Sequence, residues 1–319
     1  MVEAESKTAN HQRLKEMMCH LTPKDAVIPY NICFDSRGDF WVAAKGGLFK
    51  LSGDGKQILF ERKNLFPKKI APFTQVLYHK EKIIYVVTDD KADLTEFRIL
   101  DLDGQIEHEQ FIDGKIQGLA VAENGYIFLT KQPAIGCDES FIYKSSMDCP
   151  LGWDELSSSF DYSFQSICSF DGDTLAVATV SFPINMYSKQ SIKWINANTG
   201  GVLQSFSSVG KEDGQIYFPR CIQKYKDDLL VMDRTGRFQR FSRDGRLVEI
   251  AARIDAYIGN GFTLNNADPN GRDDEGQPLI DEAIVVCSGF VVTKNNETIC
   301  DDWIEAVKLN GSSWVDGLE

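Results

Sequence analysis

Five polar side chains stand at comparable places along this chain. Asn31, Gln75, Gln117, Gln165 and Arg220 each open a short apolar run, and a sixth polar opener falls near Asn260. Brought together by folding, such groups can hydrogen-bond a peptide or a nucleotide, or they can satisfy backbone groups and ordered water along a polar channel. They make a poor cage for calcium, which takes oxygen ligands in number. None of the five is Asp or Glu. Of the residues closing the next apolar runs, Thr88, Thr130, Thr179 and Asp233, only one is a carboxylate. No metal and no cofactor is expected on this set.

Other chemistry-bearing residues are scattered. His11, His20, His79 and His108 share no local spacing, and no GxSxG, Walker or HExxH pattern occurs. No catalytic residue is assigned. The acidic run 265–277 places Asp268, Asn270, Gly271 and Asp274 at the third, fifth, sixth and ninth positions of a calcium loop counted from Asn266. Its first position is Asn, its twelfth is Gln277 in place of a bidentate Glu, and a proline interrupts it, so it reads as a solvated loop. Arg234, Arg237, Arg240, Arg243 and Arg246 recur every three residues, which alternates the faces of a strand instead of making one stripe. Of eight cysteines, Cys33, Cys168, Cys221 and Cys287 fall in apolar runs, and no CxxC pair exists. They read as reduced core thiols.

Bulk composition narrows the classes. The chain is 319 residues long, 43% hydrophobic and 25% charged, which suits a packed core. Its 34 Lys and Arg against 47 Asp and Glu give a formal charge of −13, which opposes non-specific nucleic-acid binding. The N-terminal stretch has no basic leader followed by an apolar run, and no segment is apolar for long enough to span a bilayer. The expectation is a soluble, monomeric protein of the cytoplasm, with the nucleus left open.

The openers must be positioned by a repeat. Steps between the first five are 44, 42, 48 and 55 residues. Each begins a hairpin: 31–44, 75–88, 117–130, 165–179 and 220–233. Polar turns such as Glu123-Asn124-Gly125 sit in the middle, since Gly and Asn tolerate positive φ. A third strand and a Gly- or Asn-containing turn follow in FKLSGDG, FRILDLDG, KWINANTGG, RFQRFSRDG and WIEAVKLNG. This period is the signature of a β-propeller, all-β and built from four-stranded antiparallel blades. Six units predict six blades over residues 25–319, with residues 1–24 as an N-terminal extension. Leu14, Met17, Met18 and Leu21 in that extension fit one amphipathic helical stretch. Either residues 25–28 or residues 312–316 are expected to complete the last blade, because an open ring exposes strand edges.

The unit at 217–248 carries a resemblance. Phe218-Pro219 before the inner strand, Asp233 after the second, then Arg237-Phe238-Gln239-Arg240-Phe241 and Asp244-Gly245 resemble the NHL repeat. The match covers about 32 residues; the other five units lack the Pro and the Arg-x-Gln motif. It implies a six-bladed propeller of the NHL or a related type.

Propeller geometry places the strand openers and the loops after strand two on one rim, here the top. The segments 62–73, 131–140, 146–160, 180–190 and 207–217 are long and irregular and are assigned to that rim. Long loops on a rigid scaffold concentrate binding residues. The expected function is a non-enzymatic interaction platform for a protein or peptide. Its contacts would be Asn31, Gln75, Gln117, Gln165, Arg220, Asp233 and Arg234, with Phe182, Met186 and Tyr187 around them; Phe66 and Tyr217 are further top-loop aromatics. An RNA-binding NHL-type domain using Lys63, Lys68, Lys69, Arg220 and Arg234 is the first alternative. A metal-dependent propeller hydrolase or lactonase is the second.

Overall fold

The computed structural model describes residues 28–53, 55, 57–63, 74–89, 93–132, 138–254, 258–265, 282–292 and 298–311. Alternating apolar runs and tight turns fold the chain into six antiparallel sheets. Blade 1 is β1 (Pro29–Phe34), β2 (Phe40–Ala44), β3 (Gly47–Leu51) and β4 (Ile58–Lys63); blade 2 is β5 (Gln75–His79), β6 (Lys82–Asp89), β7 (Leu94–Leu100) and β8 (Ile106–Asp113). Blade 3 is β9 (Ile116–Val121), β10 (Tyr126–Lys131), β11 (Ser140–Ser146) and β12 (Cys149–Ser159). Blade 4 is β13 (Tyr162–Asp171), β14 (Thr174–Ser181), β15 (Gln190–Asn196) and β16 (Val202–Phe206). Blade 5 is β17 (Pro219–Tyr225), β18 (Asp228–Asp233), β19 (Arg237–Phe241) and β20 (Leu247–Arg253). Among the described residues blade 6 has three strands, β21 (Ile258–Asn265), β22 (Glu282–Val292) and β23 (Thr298–Lys308). No described residue is helical.

Burial follows strand position. The second strands β2, β6, β10, β14 and β18 are buried along nearly their whole length, because a neighbouring blade covers each face. The outer strands β4 and β8 face solvent and alternate exposed with half-buried residues. The core is therefore six apolar clusters, each lying between adjacent blades. One joins blade 6 to blade 1, packing Ile284, Val286 and Ile304 against Ile32, Val42, Ala44, Phe49 and Leu51. The Asn260 side chain adds a hydrogen bond to Pro29 O at 2.8 Å. Among the described residues, the contact between blades 6 and 1 includes this packing and this hydrogen bond.

Residues 1–27 and 312–319 lie outside the described residues, which leaves only Ile28 of the two segments considered for completing the last blade. Ile28 O accepts from Lys45 N at 2.9 Å, so this residue prolongs the inner hairpin of blade 1. One loop assignment is corrected. Residues 146–160 are not an irregular top segment, because β11 and β12 form a hairpin turning at Met147-Asp148 on the bottom rim. The other four segments do join strand ends at the top.

Cysteine burial follows the expectation in part. Cys33, Cys221 and Cys287 are buried free thiols, Cys149 is exposed, and Cys168 is half-buried where the inner strands line the channel. Burial pushes Cys168 up to about 12 and Cys221 up to about 11, so neither is a thiolate near neutral pH.

Candidate functional site

The openers meet. A cavity of about 220 Å³ at the top of the channel is lined by Gln75, Gln117, Gln165, Arg220 and Asn260, contributed by five blades, and by Arg234. Asn31, from blade 1, is buried and lines the larger channel cavity of about 360 Å³ together with Gln75.

The local reason is a β-bulge. In blade 3, Ile116 pairs with Lys131 and Gly118 with Thr130, which leaves Gln117 as the extra residue. Arg220 is extra between Pro219 and Cys221, and Asn260 between Gly259 and Gly261. In blade 4, Gln165 and Ser166 stand opposite one residue of β14. An inserted residue bends its strand and re-aims its side chain, here toward the mouth. Blade 2 reaches the same place without a bulge, through Gln75 at the start of its strand.

Side-chain bonds hold this ring. Gln165 Nε2 donates to Ser163 Oγ at 2.8 Å, and that hydroxyl donates to Gln117 Oε1 at 3.4 Å. Thr130 Oγ1 donates to Gln165 O at 2.6 Å. Thr88 shares a hydrogen bond with Thr95 at 2.7 Å, and Thr179 shares one with Ser191 at 3.0 Å. The second-strand threonines thus brace the top rim.

Asp233 requires a correction as a contact residue. Its side chain is fully buried and pairs with Arg237 Nη2 at 2.7 Å, while its other oxygen accepts from Thr235 N. Arg237 also donates to the carbonyls of Gly210, Lys211, Glu212 and Gln215. Gln239 bonds both Gln215 O and Gly214 N. The Arg-x-Gln motif and Asp233 therefore form a clamp on the 207–217 link. That clamp ends at Phe218, which holds a left-handed φ of 51°, an unfavourable conformation for a bulky side chain. Its N–H donates to Gln190 Oε1 at 2.5 Å, and its side chain lines the mouth.

Beside the mouth lies the 182–189 loop of blade 4. Ile184 lines the cavity, and Met186 and Tyr187 are 61% and 84% exposed. Phe182 is half-buried, and its N–H donates to Asp161 O, which ties this loop to the exposed Phe160. Tyr217 is half-buried, edge-on to Phe218.

The basic residues do not form one patch among the described residues. Lys63 ends the outer strand of blade 1, whereas Arg220 and Arg234 sit at the mouth on blade 5. Lys68, Lys69, Phe66 and the acidic run 266–277 lie outside the described residues. Sequence reasoning missed Gln132, Ser166, Ile184 and Phe218 as mouth residues. Only Phe218 carried a usable signal, as the residue before the proline that starts β17.

No family model matches this chain. Among solved structures it is similar to the WD40 β-propeller domain of Doa1, at 12% identity and a TM-score of 0.53 over 90% of this chain and 80% of that one. It is also similar to regucalcin, a calcium-binding protein from Agrobacterium tumefaciens strain C58, at 12% identity and a TM-score of 0.51 over 89% and 92%. At such identity the likeness is one of fold, a β-propeller. No described helix is long and apolar enough to cross a membrane.

Proposed function

We propose that this chain is a non-enzymatic propeller of NHL-like type that binds a protein or peptide segment across its top rim. The carrying observation is where the exposed apolar side chains lie. Among the described residues, those on loops are Phe160, on the link from blade 3 to blade 4, and Ile184, Met186 and Tyr187, on the top loop of blade 4 whose Ile184 lines the mouth; Tyr126 starts a strand at the bottom rim, and the rest sit on outer strands. Aromatic and Met side chains gathered next to a polar pocket are what a peptide-binding surface offers. The mouth itself contains amides and guanidinium groups and, among its described lining residues, no carboxylate. That donor set suits hydrogen bonding better than holding a hard cation, which favours a platform over a metal-dependent hydrolase.

The test uses the full chain as bait in native extract, with and without ribonuclease, beside a Met186→Ala/Tyr187→Ala double variant. Partners captured by the wild type, resistant to ribonuclease and lost by the variant are expected. Capture that ribonuclease abolishes, or that the variant leaves untouched, would remove the reading.

A further inference from the structure

Seven described arginines pair with carboxylates within 4 Å. Arg220 and Arg234, side by side at the mouth, do not. Arg220 Nε is buried with no hydrogen-bond partner, and buried polar groups in native proteins are normally paired. Its guanidinium is held below its usual range, first by burial and then by the charge of Arg234. Two adjacent cations in a partly desolvated wall repel each other, and an anion between them turns that repulsion into attraction.

The rest of the wall accords with an anion. Gln75, Gln117, Gln165 and Asn260 supply amides, and no described Asp or Glu lines the cavity, on a chain whose formal charge is −13. The volume discriminates further. About 220 Å³ is below the roughly 300–1,000 Å³ of pockets that enclose a drug-sized ligand, so it suits a side chain. Apolar groups line the mouth at Phe218 and Pro219 of blade 5 and at Val180 and Ile184 of blade 4, and among the described residues the exposed apolar surface beside it continues onto the blade 4 loop. A nucleic-acid strand, by contrast, draws its affinity from several neutralised phosphates, and the mouth offers two cations that have no carboxylate partner among the described residues.

Resting on the platform reading above, we infer that the mouth is a carboxylate pocket: Arg220 and Arg234 together receive an Asp or Glu side chain of the bound peptide. Flanking apolar residues of that peptide lie on Ile184, Met186 and Tyr187. Arg234 is the exposed member and Arg220 the half-buried one.

The test selects ligands for the immobilised full chain from a random peptide library and measures the best peptide by fluorescence polarisation. Arms are wild type, Arg234→Gln, Arg234→Lys and Arg220→Gln, the peptide with its acidic residue changed to the amide, and oligouridine as a second probe. Selected peptides are expected to share an acidic residue beside apolar ones. Arg234→Gln and the acid-to-amide change should each weaken binding about tenfold or more and should not add when combined, since they delete the same contact. Arg234→Lys should recover part of the loss. Arg234 is exposed, so its variants keep the wild-type melting midpoint even if Arg220→Gln does not fold. Peptides that bind through Tyr187 yet lack an acidic residue, or ignore both arginines, overturn the carboxylate pocket and leave the platform standing. Oligouridine binding more tightly than any peptide, and dependent on Arg234, overturns it in favour of RNA. If no peptide binds, the platform reading falls with it.

Discussion

Asp233 and Arg234 follow one another in the chain, yet one side chain is sealed in the protein and the other stands in solvent. Asp233 neutralises Arg237, whose guanidinium holds four carbonyls of the 207–217 link. Removing one partner of a buried pair leaves an uncompensated charge, whereas an exposed cation is held by water. Asp233→Asn is therefore expected to lower the unfolding free energy by about 3 kcal/mol, and Arg234→Gln to stay within roughly 0.5 kcal/mol of wild type. Urea titration of the two variants reads the difference. A wild-type midpoint for Asp233→Asn would mean that the clamp does not anchor the link. The pair also shows why a motif can mislead: Asp233 ends its strand at the rim, as the repeat predicts, but its charge is spent on the scaffold.

At the scale of strands, the mouth depends on how closely adjacent inner strands approach. A Cβ added at Gly118 would lie 2.6 Å from Gln165 O and 2.9 Å from both Ile167 Cγ2 and Thr130 Oγ1. Gly118→Ala must push β13 of blade 4 away from β9, and overpacking of this kind costs about 1–3 kcal/mol. The same shift moves Gln165, so peptide affinity should fall along with the melting midpoint; unchanged values for both would show that the blades have slack there. The period of the openers, the alternation of the strands and turns such as Asn124-Gly125, where Gly125 adopts a φ of 86°, made the hairpins legible in the sequence. The bulges were not legible, because an extra residue leaves an apolar run looking like any other. The β11–β12 hairpin escaped for a different reason. Its turn, Met147-Asp148, has neither Gly nor Asn, and most described residues of β12 are exposed or half-buried, so turn chemistry and apolar pattern were both missing. Blade 2 shows the same hazard, since Lys80 and Glu81 take left-handed φ values of 44° and 63° without a glycine. There the strong apolar runs on either side still marked the strands.

For the whole molecule, closure decides how stability is shared. A linear array of repeats can lose a terminal unit and keep the others, because each contacts only its neighbours. A ring has no terminal unit, provided the contact between blade 6 and blade 1 equals the other five in kind. Eight buried residues there resemble the clusters elsewhere, and Gly261, whose added Cβ would lie 2.7 Å from Tyr30 O, allows the same backbone approach that Gly118 allows between blades 3 and 4. Ile284 in this seam and Ile222 between blades 4 and 5 are matched probes, both buried. Truncating either to Ala should remove about 2–5 kcal/mol from a single global transition. The urea midpoint should fall with its slope unchanged, because the slope reports the surface exposed on unfolding. Amide exchange separates this from the linear case. In a closed ring, Ile284→Ala accelerates exchange in the slowest amides of all six blades alike. If it releases only the amides of blade 6 and leaves those of blades 2 to 5 at their wild-type protection, the seam is a loose end, and a mouth assembled from five blades loses the rigidity that peptide recognition there requires.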